Sequence, residues 1–280
     1  MPEQIHIQKA SGELVPFDED RLTRSLERCG AGEELINDIV DDIGIELFEG
    51  MSTKTIYRRA FKLLRKRSGG TAAKYKLKRA IIELGPTGYP FEQFVGELLK
   101  YQGYDVEVGV SVKGHCVFHE VDVVAQNRSD RFMVECKFHS DQNRRCGVQV
   151  PLYIESRFND IHREWKKQAG KGKSFNQGWI VTNTRFSEDA VQYGNCVGLT
   201  LIGWDHPRNG SLKERIDISG LHPITCLSSL SKNDKQNLLD QNIVLCKQVF
   251  ENEQTLLNAR IERKKHSRIL KEIEQLIRCI

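Results

Sequence analysis

The chain has no run approaching the ~18 apolar residues that would cross a bilayer. Its opening residues, MPEQIHIQK, carry no apolar segment of the secretory-signal type. Paired cysteines are also missing. The eight cysteines (29, 116, 136, 146, 196, 226, 246 and 279) stand singly with no CxxC, and several lie inside apolar runs, which suits buried thiols in a reducing compartment. A zinc site drawn from His115, Cys116, His119, His139 or Cys146 would lack the usual ligand spacing. A dominant charge of one sign is absent too: 42 basic residues oppose 38 acidic ones, leaving +4, so overall charge does not point to nucleic acid. These absences exclude a membrane protein and a disulfide scaffold. They leave a cytoplasmic chain of 280 residues, long enough for one large or two modest domains with an appendage.

The N-terminal segment reads as a small α+β unit. Short strand-like runs, 5–9 and 13–17, flank Ser11-Gly12, a hairpin signal. Asp18 is positioned to cap a helix to about Gly30 carrying Leu22 and Leu26. A second helix is predicted over 34–49 and a third from Ser52 or Thr53, broken by Gly69-Gly70; a fourth spans 71–84. Charge is uneven here. Eleven Lys or Arg and one acidic residue fall between Lys54 and Glu83, whereas the preceding helix is rich in Asp and Glu. That pattern reads either as complementary helix faces or as a site that attracts phosphate.

The order Ile7-x-Lys9-x-x-Gly12, then Phe17-Asp18-x-x-Arg21-Leu22, with Ser52-Thr53-x-Thr55-Ile56 and Tyr75-x-Leu77-Lys78-Arg79, resembles the ATP-cone domain, a regulatory module known from ribonucleotide reductases. The resemblance covers nearly all of 1–85 and implies ATP or dATP as a regulatory ligand. Position by position it implies phosphate contacts from Lys9 and Arg21, with Ile7 and Thr53 enclosing the nucleotide. Ala10 stands where the family often has a basic residue. Pro86 to Pro90, with two prolines and a glycine, then reads as a linker.

Beyond the linker, Phe91, Phe94, Val95, Leu98 and Leu99 share one helical face. Strands are predicted at 104–112, 117–125 and 131–138. Alternation places Val121 and Val123 on one face with Glu120 and Asp122 on the other, and sets Glu135 and Lys137 opposite Val134, Cys136 and Phe138. Asp122, Glu135 and Lys137 are thereby expected to converge. Mg²⁺ prefers carboxylate oxygens at ~2.1 Å and retains waters, so Asp122 and Glu135 suit a metal at a scissile phosphate. Lys137 would orient or deprotonate a water, and Glu92 would approach from the helix side. A solvent-facing hairpin would show the same alternation without chemistry.

The series of Phe91-Glu92 helix, strand, strand with Asp122, strand with Glu135-x-Lys137, helix and strand resembles the PD-(D/E)XK nuclease superfamily, specifically Mrr-type restriction endonucleases. GWIVTNTRFSEDAVQYGNCVGLTLIGWD is similar to that family's closing strand, helix and strand. The resemblance covers 91–207. It implies an α/β/α core with a mixed sheet and Mg²⁺- or Mn²⁺-dependent cleavage of DNA, taken as double-stranded. It maps catalysis onto Glu92, Asp122, Glu135 and Lys137. Gln149, at the start of a helix predicted over 148–165, is a further candidate for the metal site. Arg144, Arg145, Arg157, Lys166, Lys167, Lys171 and Lys173 surround that helix and read as phosphate contacts or as solvated charges.

Residues 220–248 resemble one arm of a helix-hairpin-helix module, but Asp240-Gln241-Asn242 replaces the phosphate-binding glycine turn, and a small helical packing unit is the equal alternative. Residues 249–280 are predicted as one charged helix whose apolar stripe would dock on the body or pair two subunits into a homo-oligomer. The resulting expectation is an α+β multidomain, nucleotide-regulated, Mg²⁺-dependent DNA endonuclease. The alternatives are a nucleotide-sensing DNA-binding protein with a non-cleaving nuclease fold, and an RNA-cleaving enzyme.

Overall fold

The computed structural model describes residues 4–9, 11–167 and 175–278, with backbone alone for Arg278. Ala10, Lys171, Lys173 and Cys279, singled out from the sequence, lie outside the described residues. Two compact units emerge: one takes in residues up to 78 together with 226–234 and 249 onward, the other 79–225 with 235–248.

In the first unit, β1 (His6–Gln8) pairs antiparallel with β2 (Leu14–Pro16), and Gly12 takes a positive φ of 87° in the turn. α1 (Glu19–Glu27) starts where Asp18 accepts the Arg21 N–H, and α2 runs Glu33–Ile45. A third strand, β3 (Met51–Ser52), pairs parallel with β1, which alternation over so few residues does not announce. Ser52 caps α3 (Thr53–Arg67). Buried Leu22, Leu26, Ile39, Ile43, Ile56, Ala60 and Leu64 form the core between these helices and the sheet. The opposed charges of α2 and α3 are partly spent on each other, through Arg59–Glu46 and Arg67–Asp38 pairs.

The fourth predicted helix is two: α4 (Gly69–Tyr75) and α5 (Leu77–Ile82). Nor is Gly69-Gly70 a simple breaker. Ser68 ends α3 and caps α4, and the glycines form α4's first turn. A Cβ on Gly70 would lie 2.7 Å from the Gln275 carbonyl oxygen, so only glycine admits that backbone.

In the second unit, α6 (Tyr89–Tyr101) precedes a five-stranded sheet of order β10-β8-β6-β5-β4. β4 (Asp105–Lys113), β5 (Phe118–Gln126) and β6 (Arg131–Lys137) form an antiparallel meander; β8 (Gln177–Thr182) and β10 (Thr200–Ile202) continue it in parallel from β6. Parallel neighbours require crossovers. These are α7 (Gln149–Lys167) and α8 (Glu188–Cys196), while β7 (Arg145–Cys146) and β9 (Arg185–Phe186) form a small side pair.

The predicted alternation of β5 fails at Asp122. Val106 and Val108 of β4 touch Gly96 on α6, whereas Val110 and Val112 pack in the core beneath α7 with Val121 and Val124. Cross-strand partners share a face, so Val123, opposite Val108, looks to α6, while Val121, opposite Val110, looks to α7. The inversion occurs at Gly109, whose φ of 69° is open to glycine, at the level of Asp122.

The C-terminal region is built of helices: α9 (Leu212–Ser219), a 3₁₀ turn at Ile224–Cys226, α10 (Lys232–Leu239), α11 (Cys246–Glu251), α12 (Gln254–Asn258) and α13 (Arg263–Arg278). The single helix expected over 249–280 is therefore divided. Asn252 interrupts it, and Arg260 takes a φ of 56° just before α13. The apolar stripe is used within the first unit: Ile269, Ile273 and Leu276 are buried and α13 lies against α4. Glu272 of α13 accepts the N–H groups of Ser228 and Ser229, each at 2.8 Å. Among the described residues no helix is long and apolar enough to cross a membrane.

Candidate functional site

Pairing between β5 and β6 ends at Val123 opposite Val134. One step on, the strands no longer exchange backbone hydrogen bonds; the Cys136 N–H donates instead to Asp122 Oδ2 at 2.7 Å. The next residues of β6 stay paired to β8, with Glu135 opposite Ile180 and Lys137 opposite Thr182. This parting of β5 from β6 opens a notch lined by Asp122, Glu135 and Lys137.

Beyond the notch the chain is anchored by side chains standing in for a strand. The Thr182 hydroxyl donates to the Lys137 carbonyl at 2.7 Å, and the Asn183 carboxamide both accepts the His139 N–H and donates to its carbonyl at 2.8 Å. Thr182, at the end of β8, and Asn183 and Thr184 just beyond it are all buried, so this polar run serves the chain's interior.

Glu135 is only 4% exposed, and its carboxyl sits between two cationic side chains. Lys137 Nζ donates to its Oε1 at 2.5 Å, and Arg157 Nη1 to its Oε2 at 2.6 Å. Arg157 also donates to the Glu120 carbonyl, and its buried Nε–H has no partner among the described residues. Burial pulls the Lys137 ammonium down, but its hydrogen bond to Glu135 and the neighbouring carboxylates outweigh that and hold it above the usual lysine value.

Glu92, in the first turn of α6, is pushed up to about 7 by burial and then by Asp122, Glu135 and Glu120. Asp122 is raised to about 6, chiefly by burial and by Glu135, against the opposing pull of the Cys136 N–H and Lys137. Four predicted residues, Glu92, Asp122, Glu135 and Lys137, thus meet at one place. Gln149 is exposed at the start of α7, with its carboxamide folded against Gly147.

Arg157 departs from the sequence reading, which grouped it with surface phosphate contacts. It is buried, and its charge is directed inward because an isolated Glu135 carboxylate in this setting would be costly. The signal was present: Pro151, Ile154, Arg157 and Ile161 are the buried residues of α7, and their spacing puts the arginine on the apolar face. Arg144, Arg145, Lys166 and Lys167 are exposed, and Lys167 Nζ lies 2.7 Å from His115 Nδ1. His119 is spent on Asp160 at 2.8 Å.

Among the described residues no group of three His, Cys, Asp or Glu is preassembled around a metal position, whether the zinc set or the carboxylates. The donor chemistry of the notch nevertheless fits a hard divalent cation. Its carboxylates outnumber Lys137 and Arg157, and Glu92 and Asp122 are raised first by burial and then by the neighbouring carboxylates, charge that a bound cation would offset.

A second cavity, of about 250 Å³, lies wholly in the first unit. Ile7, Lys9, Arg21 and Thr53 all line it, brought together from β1, α1 and α3. Tyr57 and Tyr75 also line it and stack at 4.9 Å between centroids. Burial raises the Tyr75 hydroxyl far above the ordinary tyrosine value despite a hydrogen bond with Ser25. Lys9 Nζ pairs with Glu13 at 2.9 Å. Tyr57 is the residue that motif reading missed, and Tyr75, quoted in the motif, was given no role there; their spacing hides a contact made only when α4 folds beside α3.

Comparison with known proteins bears on two stretches of the chain. Residues 86–151, which hold Glu92, Asp122, Glu135 and Lys137, match the family "Restriction endonuclease". Residues 222–277 match the family "AF1548-like, C-terminal". An uncharacterized protein of Archaeoglobus fulgidus is 33% identical over 184 residues, covering 65% of this chain and 99% of that protein. The chain belongs to the AF1548-like family. A solved structure described as "Crystal Structure of Protein of Unknown Function AF1548" has 33% sequence identity and a TM-score of 0.58, covering 68% of this chain and 98% of that one. This chain thus carries a restriction-endonuclease-like domain, a class that suggests nuclease activity and implies a DNA substrate. Neither matched family span reaches the residues before 86.

Proposed function

We propose that the protein is a Mg²⁺- or Mn²⁺-dependent endonuclease acting on DNA, regulated by ATP or dATP in the N-terminal unit. The observation that carries the nuclease reading is the meeting of Glu92, Asp122, Glu135 and Lys137 where β5 parts from β6, inside the span that matches the restriction endonuclease family. Asp122 and Glu135 would hold the metal, with Glu92 at its edge. When bound, the ion supplies Lewis acidity, acidifying a water and offsetting charge at the scissile phosphate.

Lys137 keeps its proton in this geometry, so its role is to donate to the attacking water or to a phosphate oxygen rather than to act as base. Arg157 is a positioning residue that holds the buried Glu135 in a single orientation. Glu92, poised near neutrality, is the better candidate to take up a proton.

Support for nucleotide binding is the single cavity lined by Ile7, Lys9, Arg21 and Thr53, the positions that the ATP-cone resemblance singles out. The stacked tyrosines provide a flat apolar wall for a base, and Lys9 and Arg21 the charge for phosphates. Nucleotide would then bias an equilibrium between states of the enzyme.

A plasmid cleavage assay with added divalent ion, run on wild type, Asp122→Ala and Lys137→Ala, tests the site. Equal activity in all three removes it. The non-cleaving reading is favoured by one observation, that both Glu135 oxygens are already bonded to cationic side chains. DNA binding without cleavage under any metal or nucleotide would establish it, and the same assay on RNA and single-stranded DNA decides the substrate class.

A further inference from the structure

Beside the notch lies a larger groove of about 640 Å³, between the tip of the β4–β5 hairpin and the outer face of α7. It is a built feature. The Asp160 carboxylate of α7 accepts the Cys116 N–H at 2.9 Å and the Val117 N–H at 3.4 Å and pairs with His119, tying the hairpin tip to the helix. His119, foremost, holds the Asp160 carboxyl well below the usual range. A smaller cavity of about 290 Å³ contains Asp122 and Glu120 and shares Phe118, His119, Tyr153 and Arg157 with the groove, so the groove opens directly onto the candidate active site.

Two large rings are exposed on its walls: Phe118 at 69% and Tyr153 at 59%. Tyr153 has the Arg157 guanidinium 5.4 Å from its ring centre, which fixes the ring and leaves it facing solvent. Exposed rings on an ordinary surface are scattered; here both border one groove beside a nuclease-like centre.

Charge separates the two parts of a nucleotide that such a groove could take. The Arg157 charge is spent on Glu135 and that of Asp160 on the hairpin, so neither is available to a ligand. Asn159 donates to Glu155, which, with Ser156, leaves hydrogen-bonding edges in the groove. The exposed cation remaining on its rim is Arg163. A bare phosphate track would present a row of free cations. Aromatic walls, polar edges and, among the described lining residues, one exposed arginine instead match one nucleotide, base inward and phosphate outward.

We propose that this groove takes an unstacked base of the DNA strand, displaced from the duplex next to the scissile phosphate, with its face on Phe118 or Tyr153. The proposal rests on the nuclease reading and deepens it: the preferred substrate is DNA carrying an unpaired or easily displaced nucleotide. Supplying the base already unpaired removes the cost of extrusion, so binding should tighten.

The test measures affinity of the full-length protein in Ca²⁺ for three duplexes of one sequence: fully paired, with a single-nucleotide bulge, and with an abasic position in place of the bulged base. 2-Aminopurine at the bulge reports stacking. Wild type is expected to bind the base-containing bulge roughly tenfold tighter than either other duplex and to quench the fluorophore, since stacking of one base is worth about that much. In Phe118→Ala or Tyr153→Ala, whichever removes the ring that carries the base, the preference and the quenching should be lost. Tyr101→Ala, which removes an exposed ring outside the groove, should retain both. Both substituted side chains are exposed, and unchanged melting temperatures check that the variants fold.

Equal binding of all three duplexes by wild type overturns the proposal while leaving the nuclease reading intact, as does a preference that survives in both ring variants. Binding that a free deoxynucleotide at millimolar concentration abolishes equally for all three duplexes makes the groove a free-nucleotide site and overturns the in-strand reading. Failure to bind or cut any DNA removes the nuclease reading and this proposal together.

Discussion

The two candidate sites are built on opposite electrostatic plans. In the N-terminal cavity, positive charge faces open space: Lys9 has one exposed carboxylate partner, and Arg21 lies on the lining. In the notch between β5 and β6, negative charge is in excess, and it is held against burial by Lys137 and the inward-turned Arg157. The first plan suits an anionic ligand that arrives and leaves. The second suits a cation and a reaction, because repulsion stored among Glu92, Asp122 and Glu135 is relieved when positive charge binds. A single chain carries both because each is enclosed by its own core.

The sharpest way to break this comparison is to remove one plan and read the other. Glu135→Ala should lower the DNA cleavage rate by about a thousandfold or more, as loss of a group that stabilises transition-state charge commonly does. Titration calorimetry should give the same ATP affinity as wild type. Loss of both would mean that the two sites are not separate.

Arg157→Met should destabilise the protein by about 3 kcal/mol, since it leaves a buried carboxylate with one cation fewer. Thermal melting with and without Mg²⁺ checks the reason: the stabilisation by Mg²⁺ should be larger in the variant than in wild type. An unchanged melting temperature would place Arg157 outside the electrostatic balance of the notch.

Lys9→Ala and Arg21→Ala are expected to weaken ATP or dATP by about ten- to a hundredfold, the worth of one charge-assisted hydrogen bond. Their cleavage rate without nucleotide should match wild type, which separates regulation from chemistry.

The smallest effect is on pH dependence. Glu92 and Asp122 titrate near 7 and 6 when folded, above the ordinary carboxylate values of 4.5 and 3.8. Groups raised on folding contribute stability in their protonated form, and that contribution is lost as pH rises through the folded values. The metal-free protein should therefore melt a few degrees lower at pH 8 than at pH 5. Glu92→Gln should flatten that slope, and Mg²⁺ should restore more stability at pH 8 than at pH 5. A slope that is the same in Glu92→Gln would remove Glu92 from the cluster.

Much of both sites was legible because the relevant residues are near one another in sequence or lie in long periodic elements. Asp122 and Glu135-x-Lys137 sit on consecutive strands, and the apolar spacing of α6 announces the helix that brings Glu92. Where sequence reasoning went astray, a distant contact had overridden a local rule. Alternation in β5 assumes an unbroken pleat, and Gly109, on another strand, inverts it at Asp122. The stripe on 261–277 suggested a partner subunit among its options, but α4 takes it up at Gly70. Arg157 read as a surface cation because charge is usually solvated, and only the carboxylate on β6 explains its burial.

The sequence by itself determined which residue types are available and the order of the elements that bear them: the Lys9 to Arg21 run, the Asp122 and Glu135-x-Lys137 strands, the capped helices. Those follow from spacing and from local backbone preference. Only the tertiary structure decided how the charges are spent. It turns Arg157 inward to Glu135, ties the hairpin tip to Asp160, stacks Tyr57 on Tyr75 and leaves Phe118 and Tyr153 bare beside the notch. The physical reason is that burial and Coulomb energy depend on distances between elements far apart in the chain, which no periodicity within one element records.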